Sequence, residues 1–313
     1  MHSGEPLLAH DVVAGAAARD DVVVFAHGIL GSRNNWKSFA NRVVAACPTW
    51  TALLVDLRNH GQSRGQAPPH TVAAAASDVV ALCRHLGVRP RAVVGHSWGG
   101  KAMLELALRP RSGAHGGDDG VDLAVIVDSP PGTRTFGQRS EEIDRVVAAI
   151  RAVRLPVPSR RALVDELRAA GLSEPIAQWM TTNLEPDPSV PDGASTAGGL
   201  RWKFQLDAIP AMLADFGALD LWPALRAHAA TGELPDVHLV RGGRSDRWSA
   251  DELDRLRRAI DDGVVVEHVL PSAGHWVHTD DPEGLLALVV PLLQTHASGA
   301  LVLPGGATGG PAG

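Results

Sequence analysis

A serine between glycines, at the end of an apolar run, is the residue in this chain best placed for nucleophilic chemistry. Gly95-His96-Ser97-Trp98-Gly99 follows the short β-branched run Arg91-Ala92-Val93-Val94 and precedes a stretch of helix formers, Lys101–Leu108. Strand, tight turn and helix in that order strain a serine and present its Oγ above a sheet. Small flanking residues let strand and helix close in where a Cβ would clash. The start of the helix also favours negative charge developing beside it. The pattern alone is weak, and its strand–turn–helix context gives it weight.

A serine hydroxyl needs a general base. Fourteen histidines compete for that role. His275, in Ala273-Gly274-His275-Trp276, follows the run Val264–Leu270 and precedes a last helical stretch. In open α/β sheets chemistry gathers at the carboxyl ends of strands, and Ser97 and His275 both belong there. The base in turn needs a carboxylate to hold its tautomer. Asp128 ends the run Leu123–Val127, and Asp246, in Gly243-Arg244-Ser245-Asp246, ends the run Val237–Arg241. The order Ser…Asp…His holds for either. The later strand end is the commoner place for the acid, so the residues alone lean to Asp246. For the oxyanion of a tetrahedral intermediate, the Ile29 and Trp98 N–H groups are the expected donors. Ile29 lies in His27-Gly28-Ile29-Leu30-Gly31-Ser32, just after the run Val22–Ala26.

Neighbouring polar residues read as structural. His27 is expected to brace its loop, His96 to support the turn, and Asp56 and Arg58 to hold Asp56–Ser63 by an internal ion pair. His278 follows His275 by three residues but has no Cys/Glu cluster beside it, so no metal is expected. The chemistry is read as needing no cofactor.

These residues need a scaffold. Strands are expected at Leu7–Val13, Val22–Ala26, Thr51–Asp56, Ala92–Gly95, Leu123–Val127, Val237–Arg241 and Val264–Leu270. Several are continuous apolar runs, as in strands buried on both faces. Helices are expected at Asn35–Ala46, Val72–Leu86, Trp98–Leu108, Ala250–Ile260 and Pro282–Leu293. The alternation predicts an α/β fold, a mostly parallel sheet flanked by helices. It stops between Ser129 and Pro235, where helices are expected at Gln138–Val153, Arg160–Ala170, Glu174–Asn183 and Ala208–Phe216. A helical lid over 129–235, inserted before the penultimate strand of a core made by 1–128 and 236–300, fits this pattern. Trp179, Trp202, Phe204 and Met212 of the lid are the expected lining of an acyl pocket. Such a pocket implies an uncharged acyl chain. Residues 112–120 read as a solvated loop, and 301–313 as a disordered tail.

Composition narrows the class. The chain has 313 residues, 45% hydrophobic and 20% charged, enough for a large core. A formal net charge of −6 argues against a nucleic-acid platform. No run of 18 apolar residues suggests a membrane span. Two cysteines cannot make a disulfide framework, and Cys83 reads as a core residue. The start reads as neither a signal nor a transit peptide, so a soluble intracellular protein is expected.

Taken together, these segments resemble the α/β-hydrolase superfamily. Within it they look like the small-esterase group that includes α/β-hydrolase domain-containing protein eleven and its plant and bacterial relatives. The matching stretches are His27–Ser32 with Asn35-Trp36, Asp56–Ser63, Gly95–Lys101, Val127-Asp128-Ser129-Pro130 and Gly274–His278. The resemblance implies hydrolysis of a small-molecule ester or thioester. It also implies that some members use the acid after the earlier strand, with a serine at the later position. Asp128 and Ser245 match that arrangement, and the resemblance therefore favours Asp128. This chain departs by also carrying Asp246. Organellar members make a chloroplast or mitochondrion an implied compartment. Acyl transfer and C–C hydrolysis are the alternative reactions, and a receptor signalling through its lid is the alternative class. Dehalogenase and epoxide hydrolase chemistry would need Asp at position 97.

Overall fold

A computed structural model of the chain describes residues 7–110, 120–134, 141–189 and 199–298. The expected tail, and all of the expected 112–120 loop but Gly120, lie outside the described residues. Seven strands form one sheet in the order β1-β3-β2-β4-β5-β8-β9. They are β1 (His10–Ala14), β2 (Asp21–Ala26), β3 (Trp50–Val55), β4 (Pro90–His96), β5 (Leu123–Val127), β8 (Asp236–Gly242) and β9 (Val266–Leu270). Only β1 runs antiparallel to its neighbour, with His10 opposite Val55. The other pairs are parallel. The strand order reverses around β2 and β4, so their carboxyl ends open on a crevice, the expected place for a site.

The alternation of side chains along a strand divides the core. Val22, Val24 and Ala26 of β2 join one cluster, and Val23 and Phe25 join the other. The first face is covered by α2 (Val72–Leu86), α3 (Ser97–Ala107) and α9 (Ala250–Asp261). The second is covered by α1 (Asn34–Ala46) and α11 (Pro282–Thr295). Helix ends follow ordinary capping rules. The Thr71 side chain accepts from Ala74 N–H at the start of α2, and Ser249 from Glu252 N–H at the start of α9.

Trp36 of α1 is the keystone of the second face. It is fully buried, and its indole donates to the Ala26 carbonyl at 3.0 Å. Its ring lies 5.5 Å from both Phe25 and Phe39. Trp36→Ala is expected to cost ~3–5 kcal/mol, the range for emptying a large aromatic site. Urea unfolding should show a lower midpoint at unchanged slope. A loss below about 1 kcal/mol would contradict this packing.

The segment between β5 and β8 carries helices, as expected, but is not all helical. α4 (Glu141–Ala152), α5 (Arg160–Ala169), α6 (Glu174–Thr181), α7 (Ile209–Ala218) and α8 (Trp222–Thr231) are joined by a small hairpin, β6 (Leu184–Pro186) and β7 (Leu200–Trp202). Three-residue strands are too short to show alternation. Another difference is at β9, which starts at Val266 rather than Val264. The Val264 N–H closes the end of α9 on the Ala259 carbonyl, after Gly263 turns left-handed at φ 68°. A short α10 (Val277–Asp280) also precedes α11.

Candidate active site

β4 delivers Ser97 to the sheet's carboxyl edge. Its backbone is left-handed, φ 52°, a conformation costing a non-glycine residue ~1–3 kcal/mol. Two close approaches make the turn possible. A Cβ on Gly95 would stand 2.5 Å from the Gly99 carbonyl oxygen, and one on Gly99 2.2 Å from that of His27. The helix that follows is tied to the inserted segment. The Trp98 indole donates to Met212 O at 3.2 Å. The Lys101 ammonium donates to Gly132 O, Phe216 O and Leu219 O at 2.7, 2.9 and 3.0 Å. Burial pushes Lys101 down to about 7, although Glu252 opposes the shift.

The loop after β9 brings His275 to Ser97. His275 Nε2 lies 3.1 Å from Ser97 Oγ and can accept its proton. On the other side, Nδ1–H donates to Asp128 Oδ2 at 2.7 Å. The His96 ring fixes the loop from beneath, its Nε2–H donating to the His275 carbonyl at 2.8 Å. Burial first, then the Arg247 and Arg134 charges, hold His275 well below its ordinary pKa, so the ring is neutral at pH 7.

Asp128 stands where β5 ends, with φ 45°, and its side chain is fully buried. Its carboxylate also accepts from Ser245 Oγ–H at 2.5 Å, Trp248 Nε1–H at 3.0 Å and Gly242 N–H at 3.2 Å. Burial raises its pKa, and the Ser245, Trp248 and Gly242 bonds pull the other way. Asp246 is not brought to His275. Its side chain is 65% exposed and pairs with Arg247 Nε at 3.2 Å. One residue along, Ser245 turns inward to Asp128, which sends its neighbour out to solvent. The lean of the strand-end reading toward Asp246 is therefore corrected.

The loop after β2 carries Ile29, which lines the same cavity as Ser97, Trp98 and His275. The Trp98 N–H belongs to the first turn of α3, where backbone donors have no intrahelical acceptor. Two buried histidines set the Ile29 loop. His27 Nε2 accepts from Leu57 N–H at 3.0 Å and its Nδ1–H donates to Gly28 O at 2.7 Å. His60 Nε2 accepts from Leu30 N–H at 3.0 Å and its Nδ1–H donates to Arg58 O at 2.9 Å. Both must be neutral to accept; burial foremost takes His60 down to about 3. His27 thus braces the loop as expected, and His60 is a partner the sequence did not single out. The expected Asp56–Arg58 ion pair does not form. Asp56 pairs with Arg33, and Arg58 with Asp78 at 2.7 Å. Asp56 instead ties three points of two loops, accepting also from Arg33 N–H and Gln62 N–H.

The cavity at Ser97 is mostly apolar. Ile143, Val146, Ile176, Trp179, Leu213 and Phe216 supply its walls, together with Trp276. Of the four pocket residues expected, only Trp179 lines it. Trp202, Phe204 and Met212 are at most 3% exposed and pack in the core. Trp202 and Phe204 stack on each other at 5.2 Å. On α7, one step turns a side chain by about 100°, so Leu213 reaches the cavity and Met212 does not. Among the described residues no group of three or more His, Cys, Asp or Glu could hold a metal. No single described helix is long and apolar enough to cross a membrane.

The parallel sheet, the strand–turn–helix around Ser97 and the helical insertion define an α/β-hydrolase architecture, and the comparisons agree. A family model described as the alpha/beta hydrolase family matches residues 23–288. The chain belongs to this family. It is similar to the mouse protein named sn-1-specific diacylglycerol lipase ABHD11, 31% identical over 277 residues, 87% of this chain and 80% of that protein. It is also similar to Esterase YbfF of Escherichia coli (strain K12), 26% identical over 85% of this chain and 91% of that one. Among solved structures, a marine microorganism esterase superposes with a TM-score of 0.73 at 20% identity, covering 91% of this chain and 98% of the other.

Proposed function

We propose that the chain is a serine hydrolase of carboxylic esters that works through an acyl-enzyme on Ser97. The observation that carries this reading is one hydrogen-bonded line: Ser97 Oγ to His275 Nε2 at 3.1 Å, and His275 Nδ1 to Asp128 at 2.7 Å. Relatives named lipase and esterase support ester hydrolysis. In the proposed cycle, Ser97 Oγ attacks the ester carbonyl carbon while His275 Nε2 takes the hydroxyl proton. Asp128 keeps Nδ1–H oriented and stabilises the imidazolium. The Ile29 and Trp98 N–H groups hold the oxyanion. His275 returns its proton to the departing alkoxide. Water then attacks the acyl group, giving its proton to His275, and Ser97 leaves with that proton as the acid departs. A thioester would follow the same path with a thiolate leaving.

The inserted helices serve as a lid whose apolar side chains receive the acyl chain. Each buried methylene adds about 0.8 kcal/mol, so turnover should rise with acyl length until the wall is filled. A p-nitrophenyl ester series from acetate to octanoate tests the reading. Turnover well above the buffer rate, with an optimum in the series, is expected. Absence of turnover across the series would contradict it.

The neutral base gives a pH signature. Because His275 titrates below its ordinary 6.5, the active form persists as pH falls through 6.5. The pH dependence of kcat/KM on a neutral ester should therefore be flat from pH 8 to 6.5 and decline only at more acid pH. A midpoint above 6.5 would contradict the burial argument.

A further inference from the structure

The cavity has a polar corner that ester hydrolysis does not use. Two guanidinium groups line it beside Ser97 and His275. Arg134 comes from the chain just after β5, where its N–H donates to Gly217 O at 2.8 Å. Arg247 comes from the loop after β8, and its side chain is 7% exposed. Arg134 Nη2 donates to the Arg247 carbonyl at 3.3 Å.

The two cations differ in their compensation. Arg247 has Asp246 at 3.2 Å. Arg134 meets no carboxylate within ion-pair distance among the described residues, and its one guanidinium bond is to a carbonyl. Burial first, then the Arg247 charge, bring Arg134 down to about 10, against the more distant charges of Asp246, Asp128 and Glu252; it stays cationic at pH 7. Asp144 of α4 lines the same cavity and is the acidic member of its wall. Both arginines disfavour the imidazolium of His275. A half-buried cation without a carboxylate partner is costly to fold around unless something anionic completes it. A guanidinium fork suits a carboxylate, which it can bind through two parallel hydrogen bonds.

We propose that Arg134, with Arg247 beside it, forms a subsite for a carboxylate carried by the substrate, so that the preferred substrates are anionic esters. This rests on the reading of Ser97 as nucleophile only in placing the ester; the subsite itself is a matter of binding. The apolar wall takes the hydrocarbon part and the arginine corner takes the charge. A carboxylate held there orients the ester carbonyl toward Ser97, and it offsets the repulsion between the arginines and the imidazolium that forms during reaction.

Binding to the Ser97→Ala protein tests this without turnover. Titration calorimetry would compare monomethyl succinate, glutarate and adipate with their dimethyl esters, which place the charge on the acyl side. Acetyl esters of ω-hydroxy acids, compared with their methyl esters, place it on the alcohol side. In at least one arm the anion should bind tenfold or more tighter than its neutral partner. Arg134→Gln should bring that advantage within about threefold, and Arg134→Lys, which keeps the cation but loses the fork, should retain part of it. Equal binding of anion and neutral ester in both arms would overturn the proposal, as would a full advantage surviving in Arg134→Gln. The first comparison leaves Arg134 intact and so decides the matter even where Arg134→Gln does not fold. The nucleophile reading is judged separately, by whether the unmodified protein turns over the same esters and Ser97→Ala does not.

Discussion

Ser97→Ala should lower kcat/KM for a good p-nitrophenyl ester by about 10⁵–10⁶-fold, on the order of 7–8 kcal/mol of transition-state stabilisation. The substitution removes the atom that His275 Nε2 faces at 3.1 Å. What remains is a cavity with oxyanion donors and no covalent route, which leaves only a modest rate above water. The fold should be indifferent. Alanine keeps the Cβ and inherits the same left-handed backbone at φ 52°, so the thermal midpoint should move by no more than a few degrees. Steady-state kinetics with a melting curve on the same sample checks both parts. A loss under a hundredfold in folded protein would show that Ser97 is not the nucleophile.

Asp128→Asn should cost about 10⁴-fold in kcat, while Asp246→Asn should change it less than threefold. The asymmetry follows from position. Asp128 accepts from His275 Nδ1–H, and all its other neighbours are donors: Ser245, Trp248 and Gly242. An amide has one oxygen where the carboxylate has two, and its NH₂ would face a donor. The imidazole is then favoured in the tautomer that carries its proton on Nε2, toward the serine, where it cannot serve as a base. Asp246, 65% exposed, touches Arg247 rather than the base. Kinetics of the two variants, measured side by side, checks this. The reverse ranking would move the acid to Asp246.

The parts of this molecule set by local pattern were legible in the sequence. Continuous apolar runs marked the buried strands, and β5 appears with the limits expected, Leu123–Val127. The serine turn could be read because glycine, serine and glycine at that spacing, between a strand and a helix, leave few alternative geometries. What could not be read depends on side chains meeting across distant loops. Asp128 and Asp246 both end strands, and only the inward turn of Ser245 separates them. Asp56 and Arg58 are two residues apart yet choose Arg33 and Asp78, because the fold packs α2 and the α1 approach against that loop. The aromatic residues of the inserted segment looked alike as pocket candidates. Helix phase and hairpin pairing decide which of them face the cavity, and neither is visible in composition. Lys101, His60 and Arg134 were missed for a related reason: a lone polar residue in an apolar stretch or loop reveals its partners only when the chain has folded.

The most direct test of the central claim is covalent labelling by a fluorophosphonate probe, located by peptide mass spectrometry. The account predicts one phosphonylated peptide, with the label on Ser97, formed faster near neutral pH than at acid pH and lost in Ser97→Ala. Label on another residue, or none in folded protein, would contradict it.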